Sequence, residues 1–244
     1  MDTAFVSETV QFAGHNGDTI EGYAARPLNT AARGGVVVIH HLPGYDRESK
    51  EFVRRFADRG YNAVCANLYS RVPGSYDDAA AAVRAQGGAP DEQVMGDVRG
   101  AIDYLRGLDT SSGKIAVIGH CSGGRHTYLA SATLPIDAAI VCYGGLITGE
   151  TPPQMSSMVP ILDRTPEISC PVLGLFGNDD QFPTPAQVDE IEKALIEAGK
   201  DYEFHRYDGA GHAFFGPDRI AYRVEAALDG WDHIWRFLDR TLGG

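Results

Sequence analysis

The segment Lys114–Gly124 restricts the fold of this chain more than any other. Its sequence, KIAVIGHCSGG, combines a short apolar strand, a sharp turn at Gly-x-Cys-x-Gly and the start of a helix near Ser122. Gly119 and Gly123 carry no Cβ atom, so the strand and the helix can cross at close range. The pattern therefore predicts a strand–turn–helix unit that holds Cys121 in a strained backbone conformation at its tip.

A turn of this kind is the nucleophile elbow of α/β-hydrolases, with cysteine in the position that serine takes more often. A thiol at a helix N-terminus lies near free N–H groups and the positive end of the helix dipole, which favour the thiolate. The amide of Ser122 can donate to an oxyanion formed beside Cys121. Because short motifs recur by chance, the elbow alone leaves open that Cys121 is a small buried apolar residue.

Composition narrows the class of protein. With 244 residues and an ordinary composition, the chain is long enough for one sizeable α/β domain. The formal net charge of −12 argues against a nucleic-acid or anionic-membrane surface. No apolar run has the length of a membrane span, and Met1–Phe5 lacks the features of a signal peptide. We therefore expect a cytoplasmic protein.

Hydrophobic periodicity predicts alternating strands and helices. Residues 5–12 and 19–26 alternate around a turn at 15–18, which indicates an antiparallel hairpin. Besides the elbow strand, the predicted strands are 34–40, 61–68, 136–143, 170–176 and 201–207; the predicted helices are about 47–59, 79–85, 91–108, 122–133, 185–199 and 218–240. This order predicts one α/β-hydrolase domain over residues 1–244. Its sheet is mostly parallel and doubly wound, with an antiparallel start and helices on both faces.

Two segments interrupt this alternation. Residues 70–93 contain several Pro and Gly residues around an Ala-rich stretch, and residues 144–169 are rich in Pro, Ser and Met with little periodicity. Long segments of this kind in compact domains are often functional. Each of these segments is compatible with a lid over a site or with an ordinary surface loop.

Two further polar segments follow strands in the order that an α/β-hydrolase requires. Asp180 lies in Gly-Asn-Asp-Asp after the strand ending at 176, and His212 lies in Gly-Ala-Gly-His after the strand ending at 207. Ligands bind at the carboxyl ends of parallel strands, and the chain order of this fold is nucleophile, acid, histidine. We predict a triad of Cys121, Asp180 and His212, in which Asp180 fixes the imidazole tautomer. Asp179 is the alternative acid.

With these residues in view, the chain resembles the dienelactone hydrolase family of α/β-hydrolases. The shared features are Gly119-His-Cys121-Ser-Gly123-Gly124, Gly177-x-x-Asp180-x-Phe182, Gly211-His212-x-Phe214, Leu42-Pro43-Gly44 after the strand 36–41, and Cys142-Tyr143-Gly144. They occur in the family's order over nearly the whole chain. The resemblance implies hydrolysis of small esters or lactones through a thioester intermediate without a cofactor. It also implies an oxyanion hole made by the amides of Leu42 and Ser122.

The chain departs from the family pattern at two positions. The family enzyme that opens dienelactone has a glutamate, which helps to generate the thiolate, where this chain has His41. It also has an arginine four residues after the histidine, where this chain has Gly216. His41 is compatible with a cation, a substrate hydrogen-bond donor or a packed histidine. A neutral or differently shaped small ester is thus an alternative to dienelactone.

Several side chains are candidates for substrate contacts. The candidate substrate-binding residues are His41, Arg125, Tyr143, Phe182 and Phe214. Arg71, Arg125 and Arg219 could replace the missing arginine, or could be ordinary surface charges. The expected partner is a small ester or lactone, with no nucleic acid or membrane, and the chain is compatible with a monomer or a homodimer.

Two other functions fit parts of the pattern. A metallohydrolase would use His40, His41, His120, His126 or His212. Adjacent histidines on a strand point to opposite faces, and no carboxylate–histidine motif with metal-ligand spacing accompanies them. The four cysteines form no C-x-x-C pair, which argues against a zinc ribbon or a redox dithiol. We therefore predict no metal, and the family resemblance implies no cofactor. A ligand-binding or thiol redox-sensing protein would keep the elbow without turnover, because an exposed thiolate also suits a sensor.

Overall fold

One sheet organises the chain. The computed structural model describes residues 4–28 and 32–243, and within them eight strands pair in the order β1-β2-β4-β3-β5-β6-β7-β8. The strands are β1 Phe5–Ala13, β2 Thr19–Pro27, β3 Gly35–Ile39, β4 Asn62–Ala66, β5 Ile115–His120, β6 Ala138–Cys142, β7 Val172–Gly177 and β8 Tyr202–Tyr207. The pairings of β1 with β2 and of β2 with β4 are antiparallel, and the others are parallel. The predicted mostly parallel sheet with an antiparallel N-terminal hairpin is confirmed.

Helices cover both faces of this sheet, as predicted. They are α1 Arg47–Asp58, α2 Tyr76–Ala85, α3 Asp91–Arg106, α4 Ser122–Thr133, α5 Pro185–Glu197 and α6 Val224–Thr241. Apolar side chains of α1 and α6 pack on one face, and those of α2, α3, α4 and α5 pack on the other. The central parallel strands are continuous apolar runs because both of their faces are buried.

Two helices begin at positions other than those predicted. The helix α2 begins three residues earlier than 79, because Ser75 caps it: Ser75 Oγ accepts from the Asp78 amide at 3.2 Å. The helix α6 begins six residues later than 218, because the segment before it forms turns in which the Arg219 amide donates to the Gly216 carbonyl. A stripe of apolar residues therefore indicates a helix without fixing its first turn.

The two irregular segments contact each other. The Ser157 amide donates to the Gly87 carbonyl at 3.2 Å, and Ser157 Oγ donates to the Gln86 carbonyl at 3.0 Å. The segment 70–93 is therefore tied to the segment 144–169 by hydrogen bonds at the end of α2. Among the described residues, no helix combines the length and the apolar character that crossing a bilayer requires.

A buried ion pair joins the hairpin turn to α3. The Asp97 side chain is fully buried and accepts two hydrogen bonds from Arg71, at 2.8 and 2.9 Å, and one from the His15 amide at 2.9 Å. Arg71 also donates to the exposed Asp18 at 2.7 Å. Both partners hold Arg71 in place, so it is neither a free surface charge nor a free anion-binding group.

Asp97→Ala should lower the free energy of unfolding by about 3 kcal/mol, because it leaves the largely buried Arg71 guanidinium without its main partner. Asp18→Ala removes an exposed partner of the same arginine and should cost less than about 1 kcal/mol. Urea denaturation of the two variants measures the difference. Equal losses of unfolding free energy in the two variants would contradict the assignment of Asp97 as the main partner of Arg71.

Candidate active site

The turn after β5 holds Cys121 in a conformation that few residues adopt. Its φ is +57°, in the left-handed region that costs a non-glycine residue free energy. The Cys121 amide donates to the Cys142 carbonyl at 3.1 Å, and its carbonyl accepts from the Arg125 amide at 3.2 Å. Strand β6 and the first turn of α4 thus fix both sides of the strained residue.

Close approach of backbones explains the two glycines that flank Cys121. A Cβ atom on Gly123 would lie 2.2 Å from the Ile39 carbonyl oxygen, and one on Gly119 would lie 2.1 Å from the Gly123 carbonyl oxygen. Any side chain at either position would push α4 away from the ends of β3 and β5. The elbow that the sequence predicts is therefore present, with Cys121 at its tip.

The four cysteines differ in exposure. Cys121 is half-buried, whereas Cys65, Cys142 and Cys170 are buried free thiols. Burial raises the pKa of the Cys170 thiol to about 12 and raises that of Cys65 and Cys142 as well. These three thiols are therefore poor nucleophiles at neutral pH.

Asp180 and His212 meet at the carboxyl ends of β7 and β8. Asp180 Oδ2 lies 2.9 Å from His212 Nδ1, and Asp180 Oδ1 accepts from the Phe182 amide at 2.8 Å. Asp180 is buried, whereas Asp179 is exposed and bonds through its amide to the Ala210 carbonyl. Of the two acids, Asp180 is the one that orients the imidazole.

His212 carries a positive charge over most of the pH range. Burial lowers the pKa of His212, but the hydrogen bond to Asp180 and the neighbouring Cys121 side chain outweigh it and raise the pKa to about 10. Cys121 and Asp180 thus both raise the pKa of His212, and Asp180 Oδ2 is bonded to its Nδ1. An imidazolium flanked by a carboxylate can stabilise a thiolate on its other side.

Two backbone amides beside the elbow are free to donate. Neither the Leu42 amide nor the Ser122 amide has an acceptor among the described residues. The turn that carries Leu42 is held by Tyr69, whose hydroxyl donates to the Leu42 carbonyl at 2.9 Å. It is also held by His40, whose Nδ1 donates to the His41 carbonyl at 2.8 Å and whose Nε2 accepts from the Leu68 amide at 3.3 Å.

His41 belongs to an ionic cluster with Asp46, Glu48 and Arg219. His41 Nε2 donates to Asp46 Oδ2 at 2.7 Å, and Arg219 donates to the same oxygen at 2.9 Å and to Glu48 at 2.7 Å. Glu48 also occupies the space beside Gly216, the position where the family enzyme has an arginine. A Cβ atom on Gly216 would lie 2.2 Å from Glu48 Oε1. His41 is thus a hydrogen-bonded histidine, and two carboxylates balance Arg219.

The other candidate substrate contacts divide into two groups. The Tyr143 ring lies edge-on to His212, with centroids 5.2 Å apart, and Phe182 is half-buried beside the loop of Asp180. Tyr143, Phe214 and Arg125 are fully buried. Phe214 packs against other aromatic rings, and both ends of the Arg125 guanidinium bind Asp91. Phe214 and Arg125 therefore present no surface to a substrate, and Arg125 is not the surface charge that the sequence suggested.

The remaining histidines near the elbow are interior residues. Burial lowers the pKa of His40 to about 4 and that of His120 to about 3, and it also lowers the pKa of His126. They sit in separate packing environments; His120, for example, stacks on Phe52 with centroids 4.4 Å apart. The histidines considered for a metallohydrolase do not converge on one ligand set in the described residues.

Sequence reasoning missed Tyr69, Asp46 and Glu48. Tyr69 follows β4 by three residues, so its place near the carboxyl edge of the sheet was a usable signal. Asp46 was readable only as a helix cap, because Asp46 Oδ1 accepts from the Ser49 amide at 3.0 Å. Asp46 also accepts a hydrogen bond from Arg219, which lies 173 residues away along the chain, so no local sequence signal predicted this contact.

Comparison with known proteins agrees with this geometry. The sequence profile described as "Dienelactone hydrolase family" matches residues 20–242. A "Putative carboxymethylenebutenolidase" of Methylorubrum extorquens is 32% identical in an alignment of 225 residues that covers 88% of this chain and 75% of that protein. Another "Putative carboxymethylenebutenolidase", of Salmonella typhimurium, is 31% identical in an alignment of 232 residues that covers 93% of this chain and 85% of that protein.

A solved structure has the same fold. The crystal structure of a "Putative Dienelactone Hydrolase" from Klebsiella pneumoniae superposes with a TM-score of 0.86 at 26% identity, covering 97% of this chain and 99% of that one. The match of the family profile, the two relatives and the shared fold lead to one assignment. This chain belongs to the dienelactone hydrolase family of α/β-hydrolases and is a hydrolase of that type.

Proposed function

We propose that this chain, acting as one α/β-hydrolase domain over residues 1–244, cleaves small esters or lactones through a Cys121–His212–Asp180 triad. The observation that carries the proposal is the convergence of three elements. A strained cysteine at a helix N-terminus, an imidazolium bonded to a buried carboxylate, and two free amides meet at one edge of the sheet. Family membership supports hydrolysis of a small molecule.

Acylation begins with attack of the Cys121 thiolate on the ester carbonyl carbon. The free amides of Leu42 and Ser122 donate to the developing oxyanion. His212 donates its Nε2 proton to the departing alkoxide, so an alcohol leaves and a thioester forms on Cys121. Asp180 keeps Nδ1 protonated, which directs Nε2 to the reacting atoms.

Deacylation uses the same imidazole as a base. Neutral His212 removes a proton from a water molecule, and the hydroxide adds to the thioester carbonyl. Collapse of the oxyanion breaks the carbon–sulfur bond and releases the carboxylic acid. Cys121 returns to the thiolate beside the imidazolium, and no cofactor enters the cycle.

The charge balance around His41 favours an uncharged substrate. Arg219 already donates to Glu48 and Asp46, and Arg71 and Arg125 are paired with carboxylates. None of these three arginines is free to bind a substrate carboxylate. Of the candidate substrate contacts, Phe182 is the one that is only half-buried, and we assign it to the substrate; the lack of a free arginine favours a neutral small ester or lactone.

Cys121→Ala should reduce turnover of short-chain nitrophenyl esters by about 10³-fold or more, because it removes the nucleophile. Steady-state and burst-phase hydrolysis measure the effect, with chelator present throughout, and intact mass should show an acyl adduct in the wild type only. Cys170→Ala, which removes a buried thiol, is the matched control and should retain activity.

Each alternative gives a different result. Normal turnover by a folded Cys121→Ala variant would remove the cysteine mechanism. Activity lost to the chelator would point to a metallohydrolase. A single burst without turnover, on esters and lactones alike, would favour the ligand-binding or redox-sensing protein.

The His212–Asp180 pair should make stability depend on pH. The pKa of His212 is raised from about 6.5 to about 10 on folding, so its stabilising effect is fully present below pH 6.5 and is lost as the pH rises through 10. The free energy of unfolding of the wild type minus that of His212→Gln should therefore decrease between pH 6.5 and 10.5. Urea denaturation tests this, and a difference that stays constant over that range would contradict the raised pKa.

A further inference from the structure

A second cluster of histidine and carboxylate side chains lies between β8 and α6, outside the site described above. Glu203 and His205 are two residues apart on β8, so their side chains share one face of the strand. Asp229 and His233 are four residues apart on α6 and lie on one side of that helix. The fold thus brings two pairs, one from each element, into contact.

The atoms of this cluster are close enough to share one ion. Glu203 Oε1 lies 2.7 Å from His205 Nε2 and 3.4 Å from His233 Nδ1. One ligand atom from each of these three residues lies within 4.8 Å of the others. Zinc-bound nitrogen and oxygen atoms at about 2.0–2.2 Å from the ion have mutual separations in this range.

The second carboxylate orients one imidazole. Asp229 Oδ2 lies 3.3 Å from His233 Nε2 and also accepts from the Tyr207 hydroxyl at 3.0 Å. A proton on His233 Nε2 leaves the Nδ1 lone pair facing Glu203. Metal-binding histidines have this arrangement, in which the other ring nitrogen donates to a carboxylate.

Charge and access also favour a cation. Glu203 and Asp229 supply two negative charges, and Arg240 supplies one positive charge, which donates to Glu203 Oε2 at 3.4 Å. The side chains of Glu203, His205 and His233 are all partly exposed, so an ion can enter from solvent. The two imidazoles are stacked, with centroids 3.3 Å apart.

The histidine–carboxylate cluster near the triad is a poorer cation site, because a positive side chain already binds its carboxylates. His41, Asp46 and Glu48 also lie within reach of a common ion, but the Arg219 guanidinium already donates to both carboxylates. A metal ion there would have to displace a bonded cation. In the cluster of β8 and α6, Arg240 donates only to Glu203 Oε2, at 3.4 Å, and Glu203 Oε1 faces the two histidines.

We propose that Glu203, His205 and His233 bind a divalent ion of the zinc class, with Asp229 as a positioning residue. Two imidazole nitrogens and a carboxylate oxygen suit Zn²⁺, Co²⁺ and Ni²⁺, and water completes the coordination. The ion joins the edge strand β8 to the C-terminal helix α6. Its role is therefore to stabilise this edge of the fold, independently of the ester hydrolysis proposed above.

The experiment titrates ZnCl2 into chelator-treated, dialysed Cys121→Ser protein by calorimetry. The Cys121→Ser background removes the thiol–imidazole pair of the triad, which is itself a plausible zinc ligand set. We expect about one equivalent to bind, and Zn²⁺ to raise the melting temperature by mass action. His205→Gln, His233→Gln and Glu203→Gln, each in the same background, should weaken binding at least tenfold and abolish the rise in melting temperature.

His15→Gln is the matched control, because it removes a partly exposed histidine elsewhere in the chain, and it should leave zinc binding unchanged. Glu203→Gln keeps the size and hydrogen-bonding capacity of the side chain, so the test stands if a histidine variant does not fold. The proposal is overturned if the Cys121→Ser protein binds no zinc, or if the three substitutions leave its zinc affinity unchanged.

Discussion

The candidate active site depends on how closely α4 approaches the ends of β3 and β5. The gap at Gly119 and Gly123 has no room for a methyl group, and that closeness places Cys121 at positive φ, with the helix N-terminus behind it. The same contact brings the turn of Leu42 beside the elbow, so Cys121 and the free amides are positioned by one packing constraint. The strain at Cys121 is held by backbone hydrogen bonds on both sides.

Charge interactions determine the orientation of His212 at the carboxyl edge of the sheet. Asp180 is buried with both oxygens bonded, so its charge holds His212 protonated and fixed in direction. Nearby, burial lowers the pKa of His40, and its ring hydrogen-bonds to the His41 carbonyl and the Leu68 amide. His40 therefore links the end of β3 to the segment after β4. The pKa values of these two histidines shift in opposite directions because His212 is bonded to a carboxylate, whereas His40 is buried and hydrogen-bonds only to backbone groups.

The sheet was predicted correctly because it depends on local signals, and the prediction of a triad of Cys121, Asp180 and His212 rests on signals of the same kind. β-branched runs indicate buried strands, and the Gly-x-Cys-x-Gly turn and the Gly-rich loop of His212 follow such strands directly. The sequence did not predict the ion pair of Asp46 with Arg219 or the burial of Arg125, because Arg219 and Asp91 lie 173 and 34 residues from their partners along the chain. The first turn of α6 was also misplaced, since hydrogen bonds of the preceding turns, not apolar spacing, determine where that helix begins.

The account makes Cys121, His212 and Asp180 one nucleophilic unit, and thiol alkylation tests that claim most directly. The measurement is the rate of iodoacetamide modification of each cysteine at pH 7, resolved by peptide mass, in the wild type and in His212→Gln. The account predicts that Cys121 reacts much faster than Cys65, Cys142 and Cys170, and that the substitution slows it because the imidazolium no longer stabilises the thiolate. Equal rates for the four cysteines, or a Cys121 rate unchanged by the substitution, would contradict it.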